Sequence, residues 1–282
     1  GVKLDQAARV AIIKRFGLDA TLWEQFYKYF IGIFKGDFGV SFAFYPMTVW
    51  DIVMEALPWT VLIMVPAVIL QGIIGFFMGV TAGWRAGSKL DSFLQTFSLI
   101  IISTPIFWIA MMFLYFFAFV NDWFPLSGCY TEGAEDFGTL EYLADITKHA
   151  ALPIITFTIS QYAMYQLVLR NTMVTTLKEH YIMTATAKGL SENRIKYFHA
   201  ARNSLLPMIT MLGLSLVMVI GASVFIESIF SYSGLGRLLY DSVIARDYPV
   251  VQGCFLIFSV LIILANFIVD LLYMVLDPRV RY

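Results

Sequence analysis

Charged residues are scarce in this chain. Asp, Glu, Lys and Arg together make up 14% of its 282 residues, whereas a soluble domain carries about 25%. Hydrophobic residues make up 59% of the sequence, and they are concentrated in long runs separated by short polar stretches. This distribution excludes an ordinary soluble domain and indicates an integral membrane protein.

Cysteines and catalytic motifs are also few. Cys129 and Cys254 are the two cysteines, and they give neither a disulfide framework nor a metal-ligand spacing. A bridge between them stays open, although two free thiols are favoured. The histidines, His149, His180 and His199, are not grouped, so no metal site is predicted. The chain has no GxxxxGK[ST], HExxH or GxSxG motif. We therefore expect a non-catalytic protein without a cofactor of its own, and active transport would need energy from elsewhere.

Five segments are long and apolar enough to cross a bilayer, which takes roughly 20 helical residues. They are approximately Ala56–Trp84, Phe93–Val120, Ala150–Thr176, Pro207–Phe230 and Val251–Leu276. The third is the least apolar, since it carries polar side chains at Thr156, Thr158, Ser160, Gln161 and Gln166. These side chains weakly favour a lined path through the membrane, and a buried helix within the bundle is the alternative.

The distribution of Lys and Arg predicts the orientation, because both are enriched in short cytoplasmic loops. Basic residues cluster in 85–92, in 177–206 and at the C-terminus, whereas 121–149 holds six acidic residues against Lys148. We therefore expect the basic regions to be cytoplasmic, and 1–55, 121–149 and 231–250 to be external. Because an external N-terminal segment must be translocated, we also expect another membrane helix before Gly1, making six.

The chain thus divides into an external segment, 1–55, with interfacial helices, and a transmembrane domain, 56–282. Within the segment, Leu22–Phe34 is amphipathic, and Trp23, Tyr27 and Tyr29 are typical of an aromatic belt at the membrane interface. Residues 36–39, Gly-Asp-Phe-Gly, predict a turn. A small external platform for a partner is the alternative function of this segment.

Small and polar residues within the spans predict contacts between helices. Gly75, Gly79 and Gly83 form a stripe at a spacing of four, which lets another helix approach closely. Asn266 and Asp270 share one face of the last span, and they predict a hydrogen bond to a neighbouring helix rather than ion coupling.

Two further features concern the shape of the spans. Residues 103–105, Ser-Thr-Pro, predict a kink near the middle of the second span, which suits a gate or a purely structural role. Glu227 closes the fourth span and is expected at the outer membrane interface.

The basic loop from Glu179 to Pro207 predicts two short helices with a sharp corner. Gly189 suits the left-handed position that closes a helix. Ser191 then caps the second helix, while Leu190 and Ile195 occupy the positions of a hydrophobic staple. The alternative is a solvated loop whose charge only sets the topology.

At this loop the sequence resembles the permease subunits of ATP-binding-cassette importers, specifically the B-type permease of the dipeptide/oligopeptide group. EHYIMTATAKGLS at 179–191 and HAARNSLLP at 199–207 match the group's pattern DYxxTAxAKGLSxxxxxxxHAxRNxLxP. Further matches extend over nearly the whole chain: GLD at 17–19, GDFGVS at 36–41, STPIFW at 103–108, FPLSG at 124–128, ESIF at 227–230, ARDYP at 245–249 and DPRVR at 277–281.

The resemblance implies an all-α polytopic membrane protein with the type I importer fold, in the cell membrane of a prokaryote. It implies a half-transporter: this chain and a homologous C-type permease line one path. Two ATPase subunits hold ATP and magnesium beneath them, and an external substrate-binding protein delivers the cargo. No nucleic acid is implied as a partner.

The resemblance also implies which residues meet the partners. Contact with an ATPase is expected at Glu179, Tyr181, Thr184, Ala185, Ala187, Lys188, Gly189, Leu190 and Ser191. Docking of the binding protein is expected at Gly36, Asp37, Phe38, Ser41, Arg246, Asp247 and Tyr248.

Two positions depart from the family. The general signature EAA-x3-G is Met183-Thr184-Ala185-x3-Gly189 here, and Ser233 stands where a proline is usual.

Peptides are the expected cargo, with oligosaccharides or nickel complexes as the alternative. A secondary transporter or a membrane scaffold is a more distant alternative, because the spans are poor in charges and show no clear internal repeat.

Overall fold

The structure, a computed structural model, describes residues 19–276, with the side chains of 135, 214–219, 272–273 and 275–276 left aside. Its regular elements within that range are helices. The α-helices are α1 (Leu22–Lys35), α2 (Val49–Trp84), α3 (Lys89–Ser103), α4 (Ile106–Phe113), α5 (Thr139–Thr176), α6 (His180–Ala187), α7 (Glu192–Arg194), α8 (Arg202–Ile229), α9 (Leu235–Ala245) and α10 (Tyr248–Leu276). A π-helix, Leu114–Val120, extends α4, another, Ile195–Ala201, joins α7 to α8, and a 3-10 turn, Ala134–Asp136, precedes α5.

The predicted membrane segments fall on these helices. Among the described residues, α2, α5 and the Tyr248–Leu271 part of α10 are each long and apolar enough to cross a membrane, and α3 with the extended α4 makes a fourth span if the pair is counted as one. The predicted fourth segment lies on α8. The all-helical fold class is confirmed, while the matches at residues 17–18 and 277–281 lie outside the described residues.

The connections between the long helices lie at two ends of the bundle. The basic end comprises 84–91 and 177–202, and the opposite end comprises 36–48, 121–138 and 230–247. Helices α2, α5 and α10 begin at the opposite end, whereas α8 runs towards it.

Helices α2 and α5 pack backbone to backbone along the glycine stripe. A Cβ atom on Gly75 would lie 2.6 Å from Tyr165 Cβ, and one on Gly83 would lie 2.5 Å from Met173 Cβ. A Cβ atom on Gly79, between them, would lie 2.9 Å from the carbonyl oxygen of Gln166. The stripe therefore lies against a helix of the same chain, and no larger residue fits there without moving α5.

The polar side chains of α5 are buried in the bundle. Thr156, Thr158, Ser160 and Gln166 are all buried. Ser98 of α3 donates a hydrogen bond to Gln166 Oε1, and Thr156 Oγ1 donates to the carbonyl of Leu152 at 2.7 Å. These four side chains face other parts of the chain, in agreement with a buried helix within the bundle, whereas Gln161 is half-buried, and a lined path stays a prediction.

The predicted second span is not one helix. Its halves, Lys89–Ser103 and Ile106–Val120, meet at an angle of 99°. Thr104 between them is extended, because the following Pro105 disfavours the helical conformation. The carbonyl of Pro105 then accepts from the N–H groups of Trp108 and Ile109 at 3.0 and 3.2 Å, which starts α4. The kink is thus a sharp break.

Glu227 lies near the end of α8, and its side chain is fully buried within the protein. Its carboxylate accepts hydrogen bonds from Thr60 Oγ1 at 2.8 Å and from the backbone N–H groups of Gly236 and Arg237 at 2.7 and 3.1 Å. Both N–H groups belong to the first turn of α9, where a carboxylate complements the helix dipole. A side chain at Gly234 would overlap this carboxylate. Glu227 therefore fixes α9 on the end of the bundle.

Of the polar pair in the last helix, only Asn266 lies against another of the described helices. Asn266 is half-buried near Gly213, where an added Cβ atom would lie 3.6 Å from Asn266 Oδ1. Asp270 is exposed and makes no hydrogen bond or ion pair with a residue whose side chain the structure describes. The predicted bond from Asp270 to a neighbouring helix is thus not made within the described part of the chain.

The two cysteines are separate buried thiols. Both are free; Cys129 packs in a cluster with Tyr232, whereas Cys254 packs in another with Leu235. Cys129 Sγ accepts a hydrogen bond from the N–H of Ser233 at 3.1 Å, and burial raises the pKa of the Cys129 thiol. The prediction of two free thiols is therefore confirmed.

The glycine stripe generates a stability prediction. Gly83→Ala should lower the free energy of unfolding by about 1–3 kcal/mol, because the added methyl group overlaps Met173 and overpacking costs that much. Gly72→Ala is the matched control on the same helix, since its new methyl group meets its nearest atom at 4.0 Å. Thermal unfolding of both variants in nanodiscs measures the difference, and equal melting temperatures would contradict the packing.

Candidate functional site

The basic loop begins with α6, a short helix with one buried face. Ile182 and Ala185 are buried against the bundle, whereas the other face of the helix is exposed. The exposed residues that were predicted to contact an ATPase are Glu179, Tyr181, Thr184, Ala187, Lys188, Gly189 and Ser191. The buried Ala185 and the half-buried Leu190 instead hold the helix to the bundle. The loop thus offers a polar outer surface on an apolar base.

Gly189 forms the corner that the sequence predicts. Its φ is +73°, in the left-handed region that favours glycine. The N–H of Gly189 donates to the carbonyl of Thr186 at 2.9 Å, and the N–H of Leu190 donates to the carbonyl of Ala185 at 3.4 Å. This pair of bonds is the Schellman motif. Leu190 and Ile195 then pack in the same apolar cluster, as expected of a hydrophobic staple.

The second half of the loop differs from the expectation. Ser191 occupies the cap position, but its side chain makes no capping hydrogen bond. Helix α7 does not end within the loop; it continues through the π-helix Ile195–Ala201 into α8. No Gly or Pro stands between Ser191 and Pro207, so nothing in that stretch signals a helix end. The corner is therefore built on the end of a membrane helix.

Three hydrogen bonds tie the loop together and to the helices around it. Trp84 Nε1, at the end of α2, donates to Glu192 Oε1 at 2.7 Å. Asn203 Nδ2 of α8 donates to Tyr181 Oη of α6 at 2.8 Å. Ser204 Oγ of α8 donates to Thr176 Oγ1 of α5 at 2.9 Å. The loop is thus connected to α2 and α8, and α8 in turn to α5.

An ion pair beside the loop was missed by the sequence analysis. Arg170 Nη2 of α5 lies 2.6 Å from Asp91 Oδ2 of α3, and Arg170 Nε lies 3.0 Å from Asp91 Oδ1. Asp91 is buried and also accepts from the N–H of Gly87 at 2.8 Å. The local signal was Ser88 three residues before Asp91, a helix-start pattern, but nothing local indicated Arg170 as the partner.

The predicted docking residues lie at the opposite end, in two groups. Gly36, Asp37, Arg246 and Tyr248 are exposed, and Phe38 is half-buried. Ser41 and Asp247 are buried, and they are hydrogen-bonded to each other. Direct contact with a binding protein therefore stays a prediction for the first group, whereas Ser41 and Asp247 lie inside the surface.

Asp247 holds the segment before α2 against the turn before α10. Besides Ser41 Oγ, its carboxylate accepts from the N–H groups of Phe42 and Ala43 at 3.1 and 3.0 Å. We call this arrangement of residues 41–43 and 247 the Asp247 clasp. It joins the N-terminal segment to the first residues of two long apolar helices. Within the described residues there is no cluster of three His, Cys, Asp or Glu residues that could hold a metal ion.

Comparison with known proteins finds relatives that match nearly the whole chain. The chain is 36% identical over 280 residues to the oligopeptide transport system permease protein AppB of Bacillus subtilis, covering 99% of this chain and 87% of that protein. It is 33% identical over 293 residues to the di/tripeptide transport system permease protein DppB of Pseudomonas aeruginosa, covering 99% and 87%. It is 34% identical over 287 residues to the dipeptide transport system permease protein DppB of Escherichia coli, covering 96% and 84%.

A solved structure and a family description identify the fold and the family. The crystal structure of an amino acid ABC transporter with histidines superposes with a TM-score of 0.53 at 13% identity, covering 79% of this chain and 92% of that one; this likeness concerns the fold alone. Residues 71–282 match the family described as the binding-protein-dependent transport system inner membrane component. Since that match extends over most of the sequence, the chain belongs to this family of transport permeases.

Proposed function

We propose that this chain is the permease subunit of an ATP-driven importer of dipeptides and oligopeptides. The observation that carries the proposal is the corner at Gly189, which stands on the end of α8. Glu192 beside the corner is hydrogen-bonded to Trp84 of α2, and Ser204 of α8 is hydrogen-bonded to Thr176 of α5. A corner of this kind can pass the movement of a bound partner to the membrane helices. The peptide cargo is inferred from the relatives in three bacteria, whose names specify oligopeptides, di/tripeptides and dipeptides.

The partners and orientation follow from the same proposal. The basic end faces the cytoplasm, where its exposed Lys188, Arg194 and Arg202 are expected by the positive-inside rule. Two ATPase subunits, which hold ATP and magnesium, bind there. A homologous C-type permease completes the path, and an external binding protein delivers peptides to the opposite end. This chain is a non-catalytic subunit of a bacterial inner membrane.

The loop converts closure of the ATPases into movement of the spans. The exposed face of α6 contacts the ATPase, while the buried Ile182 and Ala185 prevent the helix from sliding on its base. Force passes through the π-helix to α8 and through the Trp84–Glu192 bond to α2. Such a coupling requires two arrangements of the spans whose balance is shifted from a distant site.

Transport in a reconstituted system tests the function. The full-length protein is reconstituted into proteoliposomes with its partner permease and ATPases, and the binding protein is supplied outside. We expect uptake of labelled dipeptides and tripeptides that requires ATP inside the vesicles. Uptake driven by an ion gradient alone would contradict the ATP-driven importer, and uptake of a nickel complex or an oligosaccharide in place of peptides would contradict the cargo.

The corner generates a prediction about coupling. Gly189→Val should reduce the peptide taken up per ATP hydrolysed, because a β-branched residue in the left-handed region costs about 1–2 kcal/mol and shifts the corner. Gly189→Asn should retain most of the coupling, since Asn tolerates this conformation. The matched control is Gly133→Val, which replaces another open glycine with φ of +82° far from the loop. Normal coupling in Gly189→Val at normal expression would refute the role of the corner.

The Trp84–Glu192 bond generates a second prediction about coupling. Trp84→Phe keeps most of the ring but removes the donor, so the ratio of uptake to ATP hydrolysis should fall severalfold because the hydrogen bond between α2 and the loop is lost. Glu192→Gln retains an acceptor oxygen and should have a smaller effect. Trp108→Phe, at an exposed tryptophan of α4, is the control. If Trp84→Phe and Trp108→Phe behave alike in this assay, the bond does not transmit force.

A further inference from the structure

Helix α1 exposes a continuous row of aromatic rings. Trp23 and Phe26 have ring centroids 5.6 Å apart, Phe26 and Phe30 6.1 Å, and Phe30 and Phe34 5.1 Å. These four side chains are 77%, 55%, 49% and 78% exposed, respectively, and no residue of α1 is buried. A continuous row of four exposed aromatic side chains is rare on a protein surface that contacts only water.

The helix is capped at both ends, although none of its residues is fully buried. Thr21 and Glu24 form a capping box at its start, and Gly36 closes it in the left-handed conformation. At 100° per residue, Glu24, Lys28 and Lys35 fall together on the side away from Phe26 and Phe30. The helix is thus amphipathic, with a charged face opposite the aromatic row.

A short, fixed connection holds α1 at the end of the bundle. The N–H of Asp37 donates to the carbonyl of Gly32 at 2.9 Å, and a Cβ atom on Gly32 would lie 2.5 Å from the carbonyl oxygen of Asp37. Residues 36–40 then lead directly to the Asp247 clasp, which lies at the first residues of α2 and α10. Since both of these helices are membrane-spanning by length and composition, α1 is tethered beside the first residues of two spans.

We propose that α1 lies flat in the membrane interface, with Trp23, Phe26, Phe30 and Phe34 inserted among lipid acyl chains. The charged face then points to the aqueous side, where Lys28 and Lys35 reach lipid phosphate groups. Aromatic rings on one face and lysines on the other are the composition that interfacial helices use. The position of α1 favours lipid over a soluble partner, because the tether keeps it beside two spans.

Anchoring α1 in this way restrains the opposite end of the bundle. The clasp joins α1 to α2 and α10, so anchoring α1 in lipid limits how far the first turns of both spans can tilt. The inference rests on the membrane location of the chain, and it depends neither on the cargo nor on the ATPase.

Accessibility of spin labels tests the inference. Phe30→Cys and Lys28→Cys are labelled with a nitroxide in the full-length protein, assembled with its partner subunits in nanodiscs that contain anionic lipid. We expect the label at position 30 to be relaxed more by oxygen, which concentrates in lipid, than by a water-soluble nickel chelate, and the label at position 28 to show the reverse order. The unsubstituted protein is the labelling control, because Cys129 and Cys254 are buried.

Two results would overturn the inference. If the nickel chelate relaxes both labels to the same extent, the aromatic row is in water. If the label at position 30 is shielded from both reagents, a protein surface covers the row. Both readouts are independent of peptide uptake, so a failure here is distinguishable from a failure of the proposed function.

Discussion

The close approach of α2 and α5 is the contact on which the rest of the bundle depends. Lipid offers no hydrophobic driving force between helices, so their association relies on van der Waals contact and interhelical hydrogen bonds. Gly75, Gly79 and Gly83 bring the two backbones together over two turns. Helix α5 then becomes the centre of the bundle, and α3 and α8 pack against its remaining faces. We propose that this central pair carries a push at the basic end towards the other end of the bundle.

Buried carboxylates fix the irregular segments at the ends of this bundle. Asp91 joins α3 to α5, Glu227 seats α9, and Asp247 clasps the segment before α2. A buried charge is costly unless it is paired or hydrogen-bonded, and each of these carboxylates has three or more hydrogen-bonding groups around it. They lie near helix ends, where backbone N–H groups without helical partners are available. The middle of the bundle is instead held by glycine contacts and neutral side chains.

The features that depend only on residues close together in the sequence could be predicted from it. The corner at Gly189 needs only a glycine after a helix and a staple behind it, and the glycine stripe needs only its spacing. The roles of Glu227 and Asp247 could not be predicted, because their partners Thr60 and Ser41 lie 167 and 206 residues away in the sequence. Pro105 signalled a break, but the angle of 99° depends on how α4 packs. The continuation of α7 into α8 was missed because a basic loop was expected to end its own helices.

The most direct test of the central claim is the composition of the native complex. The full-length chain is tagged, purified from its native membrane in mild detergent, and its companions are identified and quantified by mass spectrometry. The account predicts one homologous permease and two ATPase subunits for each copy of this chain, with a binding protein that joins when peptide is present. Recovery of the chain alone or as a homo-oligomer, in a detergent that preserves such assemblies, would contradict the account.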